Sequence, residues 1–245
     1  MSAIPQNLQA VRDSIAAAAR IALRDPQSVQ LLAVSKTFDA AAVLSAAQAG
    51  QRAFGENYLQ EALDKMAAVK AARPDLTLEW HFIGPIQSNK TRQIAEHFDW
   101  VHAVDREKIA QRLSDQRPPS LPPLNICLQI NISGEASKSG ATPEQALVLA
   151  QAIAALPRLR LRGLMAIPEA AESVEQQRAP FHRLHQLWQA LRAQGLELDT
   201  LSMGMSNDMT AAIVEGATIV RIGSAIFGKR DYEKTIAKSI AKSIE

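Results

Sequence analysis

The chain carries a single cysteine, Cys127, among its 245 residues. It cannot close an internal disulfide or assemble a cysteine metal cluster, and a reducing, cytoplasmic location is the natural expectation. No apolar run reaches the roughly eighteen residues that a membrane-spanning helix needs. The first residues, MSAIPQNLQAVRDSIAAAARIALRD, are broken by Arg12, Asp13 and Arg20 and hold no continuous apolar segment. They do not read as a secretory leader. Neither sign of charge is in surplus, since 27 basic and 25 acidic side chains leave a net +2. Nucleic acid and anionic membranes are therefore not expected as partners. No GxGxxG follows any apolar segment, and the five histidines form no HExxH. A dinucleotide fingerprint and a metal site are accordingly not expected. What remains, 47% hydrophobic and 21% charged, is an ordinary globular composition.

Two kinds of apolar segment alternate along this composition. Short, β-branched or continuous ones fall at 31–35, 53–55, 79–83, 99–103, 124–131, 159–165, 197–202 and 217–222. Each is followed by a stretch with helical spacing: 39–49, 57–72, 88–97, 106–116, 142–155, 173–194, 206–215 and one after Ser224. Strands without polar alternation belong to parallel sheets covered on both faces. Eight such repeats predict a single (β/α)8 barrel spanning residues 1–245, with an open doubly wound sheet as the competing architecture. The first thirty residues predict an extra helix with Leu8, Val11, Ile15 and Ala18 on one side. It would close the bottom of the barrel or pack beside it. Arg117-Pro118-Pro119-Ser120-Leu121-Pro122-Pro123 is too short to divide domains and reads as a rigid loop. The tail at 235–245 reads as a terminal helix or a frayed end.

Barrels of this kind work at the C-terminal ends of their strands. There strand one delivers Lys36, which a desolvated setting would make a neutral amine able to form a Schiff base; the plainer alternative is a solvated lysine. Met-Gly-Met-Ser-Asn-Asp at 203–208 reads as a helix start, with Ser206 as cap or hydroxyl donor. Gly223 and Ser224 follow strand eight, and Arg221 adds a fixed guanidinium. Loops after strands seven and eight commonly bind phosphate. An aldehyde-seeking lysine opposite a phosphate site fits pyridoxal 5′-phosphate (PLP). His81, between Trp80 and Phe82, reads as a hydrogen-bonded interior residue, and Cys127 as a small buried apolar one. Leu184, Leu187, Trp188 and Leu191 read as core packing.

At these residues a resemblance becomes specific. The strings Leu-Leu-Ala-Val-Ser-Lys at 31–36, Phe-Gly-Glu-Asn-Tyr at 54–58 and Trp-His-Phe-Ile-Gly-Pro-Ile-Gln-Ser-Asn-Lys at 80–90 resemble the pyridoxal phosphate homeostasis protein family. So do Gln-Ile-Asn-Ile-Ser at 129–133, Lys-Ser-Gly at 138–140, Gly-Leu-Met-Ala-Ile-Pro at 163–168, Ser-Met-Gly-Met-Ser at 202–206 and Val-Arg-Ile-Gly-Ser-Ala-Ile-Phe-Gly at 220–228. That family is similar to the N-terminal barrel of alanine racemase. The resemblance implies that Lys36 carries PLP as an aldimine. It also implies that Ser206, Arg221, Gly223 and Ser224 belong to the phosphate or ring site, with Asn57 alongside. Many members have a second lysine two residues after the first; here that position is Phe38.

The expected function is therefore a cytoplasmic, monomeric PLP-binding protein. It would take part in PLP and amino/keto-acid homeostasis without turnover, with apo forms of PLP-dependent enzymes as candidate recipients. A PLP-dependent racemase or decarboxylase is the alternative, and an aldolase using Lys36 without PLP is a third. Racemisation needs a base on each face of the bound amino acid. The two tyrosines, Tyr58 and Tyr232, have no evident reason to face the site, and the twenty or so residues after strand eight leave no length for another domain.

Overall fold

The computed structural model describes residues 3–135 and 139–228. The eight apolar segments form β1 (Gln30–Val34), β2 (Ala53–Glu56), β3 (Glu79–Phe82), β4 (Trp100–Val104), β5 (Leu124–Gln129), β6 (Leu159–Met165), β7 (Thr200–Ser202) and β8 (Ile219–Ile222). The intervening stretches supply α2 (Ala40–Gln48), α3 (Leu59–Ala72), α4 (Thr91–His97), α5 (Glu107–Gln116), α6 (Ala146–Ala154), α7 (Val174–Ala193), α8 (Met209–Val214) and α9 (Ser224–Phe227). Every residue of β4 and β8 is buried, because helices cover one face of the sheet and the interior closes over the other.

The strands pair in sequence order and all in parallel. Between β1 and β8 the register runs from Gln30↔Ile219 to Ala33↔Ile222. That pairing closes the expected (β/α)8 barrel and excludes the open sheet, whose edge strands would be unpaired. Two of the boundary shifts bear on the mouth. The segment at 197–202 keeps only Thr200–Ser202 as strand. The stretch at 206–215 becomes helical only from Met209, so Ser206 lies in a turn and is not a helix cap. Here Asp208 holds the cap position, and its carboxylate accepts from the Met205 N–H instead.

The N-terminal helix, α1 (Ile4–Ile21), buries Leu8, Val11, Ile15, Ala18 and Ala19. It packs beside the barrel. Asn7 Nδ2 donates to Ile226 O at 3.0 Å, Arg12 Nη1 to Ala49 O at 2.9 Å and Arg24 Nη1 to Ile213 O at 2.8 Å. Those contacts place α1 in the outer ring between α2 and the α8–α9 pair. On α7, Phe181, Leu184 and Leu191 are buried, with Leu187 and Trp188 packed against the core. Among the described residues no helix is long and apolar enough to cross a membrane.

The proline-rich return to β5 is held by Arg117, only 3% exposed. Its Nη1 donates to Ala95 O and Phe98 O, each at 2.7 Å, and its Nε to Pro122 O at 2.9 Å. One guanidinium thus satisfies the carbonyls that end α4 and pins the loop. We expect Arg117→Met to lower unfolding stability by about 2–4 kcal/mol, since charged hydrogen bonds are lost and buried carbonyls are left bare. A shift of the urea midpoint at unchanged slope is the measurement that checks it.

Candidate functional site

The mouth of the barrel is where the strand ends converge, and the segment after β1 is its most constrained piece. Ser35 is buried and Lys36 half-buried. Thr37 adopts φ +69°, a left-handed conformation that a β-branched residue rarely takes, at a cost of roughly 1–3 kcal/mol. A cluster from β2 and α3 holds both sides of Lys36 in place. Glu56 Oε1 accepts from Ser35 Oγ and from Lys65 Nζ, each at 2.6 Å. Lys65 Nζ also donates to Ser35 O at 2.7 Å and to Glu61 Oε1 at 3.0 Å. The same Glu61 oxygen accepts from the Thr37 N–H at 2.6 Å. Burial pushes the Glu56 carboxyl up, against the opposing pull of Lys65 and Ser35.

Asn57 follows β2 directly. A Cβ at Gly84, after β3, would lie 2.2 Å from Asn57 O, so only glycine allows these two exits to meet. Close approach also governs the β8 exit: a Cβ at Gly223 would lie 3.1 Å from Val34 O. Gly223 and Ser224, which begins α9, thereby sit against the strand that delivers Lys36. Phe38 reinforces that join, its ring 5.1 Å from the ring of Phe227. Three buried polar atoms here have no hydrogen-bond partner, Asn57 Oδ1, Thr37 Oγ1 and the second carboxylate oxygen of Glu56. Such atoms are costly unless something else satisfies them.

The other expected residues divide. Ser206 is exposed in the turn between β7 and α8. Arg221 lies inside the barrel, 4% exposed. Its Nη1 donates to Ser202 O at 2.7 Å and Ser202 Oγ at 2.9 Å, and its Nη2 to Ala166 O at 3.0 Å. Burial lowers its pKa to about 10, leaving it a cation at neutral pH. His81 is buried and bonded inside the barrel, and the Cys127 thiol is pushed up to about 12 by burial. Tyr58 stands 55% exposed before α3. Tyr232, Lys138 and the tail at 235–245 lie outside the described residues.

Reading by motif missed the cluster of Glu56, Glu61 and Lys65, and missed Ser202 as a partner of Arg221. A signal for the first was present. Lys65 interrupts the buried stripe Leu59, Ala62, Val69 of α3, and a lysine in such a position needs an acid.

The family model described as alanine racemase, N-terminal domain, matches residues 6–231. The class is thus that of alanine racemase-type barrels. A pyridoxal phosphate homeostasis protein of Pseudomonas aeruginosa is 63% identical over 232 residues, covering 95% of this chain and 98% of that relative. The Escherichia coli K12 protein of the same name is 54% identical, covering 96% and 100%. PipY of Synechococcus elongatus, solved with PLP bound, superposes with a TM-score of 0.79 at 37% identity, over 92% of this chain and 100% of that one. The chain belongs to the pyridoxal phosphate homeostasis protein family. Alanine racemase of Corynebacterium glutamicum shares the fold, with a TM-score of 0.61 at 20% identity, and this chain spans 62% of its length.

The cluster beside Lys36 generates a stability test. Lys65→Met leaves Glu56 buried without its cation, and we expect a loss of about 3–5 kcal/mol. Adding Glu56→Gln should recover a large part of it. A double-mutant cycle by urea unfolding measures the coupling, and additive losses would mean that the two groups do not act as a pair.

Proposed function

We propose that this chain is a PLP carrier: it holds PLP as a Schiff base on Lys36 and releases it, balancing PLP and amino/keto-acid pools without turnover. The observation that carries this reading is that Asn57 Oδ1 and Thr37 Oγ1, on the segments that follow β2 and β1, are buried without partners, as is the second oxygen of Glu56. A polar ligand at the mouth is what such atoms require. When bound, PLP supplies an aldehyde that condenses with an amine and a ring that withdraws electrons. Lys36 would provide the amine. Ser206, Ser224 and the backbone at Gly223 would take the phosphate, and Asn57 would lie alongside the ring. Arg221, sunk below the mouth, would face the ring nitrogen. A guanidinium there has no proton to yield at neutral pH, so the ring stays a weak electron sink.

The carrier reading is supported by the absence of an evident second base among the described residues. Proton abstraction and return on opposite faces need two, and Tyr58 is turned to the outside at the start of α3. The reading also includes action as a monomer in the cytoplasm, with apo PLP-dependent enzymes as recipients.

Lys36→Ala should abolish the visible absorbance of the PLP-loaded protein and its borohydride-trapped adduct while leaving the unfolding midpoint within the range of a surface substitution, about 0.5 kcal/mol. Peptide mapping after reduction locates the adduct; finding it at full occupancy elsewhere would remove Lys36 from the site. A colourless wild-type protein that condenses with a phosphorylated sugar would restore the aldolase reading.

The carrier and enzyme readings part on Cα chemistry. With PLP loaded, deuterium uptake at Cα from heavy water should stay far below ordinary enzyme rates for either enantiomer of alanine or serine, while PLP passes to an added apo-enzyme. Exchange at rates on the order of 1 s⁻¹ or faster would establish a racemase instead.

A further inference from the structure

A line of buried side chains runs through the barrel from the mouth to its opposite end. Arg221 Nη1 donates to Ser202 Oγ at 2.9 Å, and Ser202 Oγ lies 2.8 Å from His102 Nδ1. His102 Nε2 lies 2.8 Å from His81 Nδ1, and His81 Nε2 lies 2.7 Å from Glu79 Oε1. Glu79 also accepts from Gln30 Nε2 at 3.1 Å. Arg221, Ser202, His102 and His81 are buried, whereas Glu79 opens onto a cleft of about 610 Å³ that Arg12, Gln51 and Arg52 also line.

The two ends dictate the same proton arrangement. From the mouth, arginine can only donate, so the only acceptor for the Ser202 hydroxyl among its bonded neighbours is His102 Nδ1. That nitrogen therefore carries no hydrogen, and His102 is neutral with its hydrogen on Nε2. It donates to His81 Nδ1, which leaves His81 neutral with its hydrogen on Nε2. From the far end, an ionised carboxylate can only accept, so Glu79 likewise requires the His81 hydrogen on Nε2. Every donor points from Arg221 towards Glu79. Burial favours the neutral form of both rings, and the His81 hydrogen bond holds Glu79 below the usual carboxylate range. Asp99 and Glu79 are the acids whose charge reaches His81, and Arg221 is the cation that reaches His102.

We propose that His102 and Ser202 are positioning residues for Arg221, held in a single proton arrangement by His81 and Glu79 at the far end of the barrel. The chain keeps a lone pair of Ser202 turned to the guanidinium. Arg221 then has three fixed acceptors below and the rest of its five N–H donors for the mouth. What those donors meet there rests on the PLP reading; the proton arrangement does not.

Nitrogen NMR of the PLP-free protein at neutral pH tests the arrangement directly. Both His81 and His102 should show the tautomer protonated at Nε2 alone; an Nδ1-protonated or doubly protonated ring at either position overturns the proposal. In the same PLP-free state, His102→Leu should speed hydrogen exchange of the Arg221 guanidinium, and His102→Gln, whose amide can both accept and donate, should restore much of the protection. In PLP-loaded protein, His102→Leu should raise the PLP release rate about tenfold, the loss of one well-placed hydrogen bond to a charged group, and should shift the pH dependence of the visible band. Ser202→Ala, a smaller change, should act in the same direction and serves where His102→Leu does not fold. Unchanged guanidinium exchange and unchanged release in a folded variant would overturn the proposal. A wild-type protein that never takes up PLP would sink the PLP reading alone, leaving the tautomers and the exchange rate to decide the chain.

Discussion

Closure of the barrel by the β1–β8 ladder is the constraint on which the rest depends. It sets Leu32 beside Arg221 and Ala33 beside Ile222, residues nearly the whole chain apart. Only with that ladder made do Gly223 and Val34 come so close that a Cβ at Gly223 would lie 3.1 Å from Val34 O, and only then can Phe38 meet Phe227. Each of these contacts joins the loop that carries Lys36 to the loop that follows β8. A slip of one residue would turn Arg221 out of the interior, because strand side chains alternate.

The mouth contrasts a fixed frame with unsatisfied chemistry. Around Lys36 the backbone is over-determined: an unfavourable φ at Thr37 persists because Glu61 holds its N–H and Lys65 holds the carbonyl of Ser35. Strain of this sort is retained where the surroundings supply more contacts than the conformation costs. Polar atoms on the neighbouring Asn57 and Thr37 segments meanwhile lack partners. The frame spends its hydrogen bonds on the residues either side of Lys36.

Inside the barrel, polar groups stand among the usual branched aliphatic filling. Two histidines, a serine and an arginine occupy the axis, with Trp100 stacked on His81 at a centroid distance of 5.3 Å. Such a network is tolerable only when each member is satisfied. Here both ends impose the same order on it, an acceptor-only carboxylate below and a donor-only guanidinium above. The far end of the barrel is thereby tied to the mouth through hydrogen bonds alone.

Much of this was legible in the residues. Uninterrupted apolar strands alternating with helical stretches determine a covered parallel sheet, since both the pleat and the helix have fixed periods. The count of eight and the lysine at the end of the first strand located the mouth. His81 was readable as an interior group because polar residues within such strands must find partners. The rest waited for the tertiary structure. Ser206 looked like a helix cap, yet the helix starts three residues later because Asp208 bonds back to Met205, a competition between two local hydrogen bonds that spacing does not resolve. The partnerships of Lys65 with Glu56, and of Arg221 with Ser202, His102, His81 and Glu79, join residues from different strands and helices. Sequence determines which groups are buried through periodicity, which is local; which buried groups touch depends on the closure and shear of the barrel, which is not.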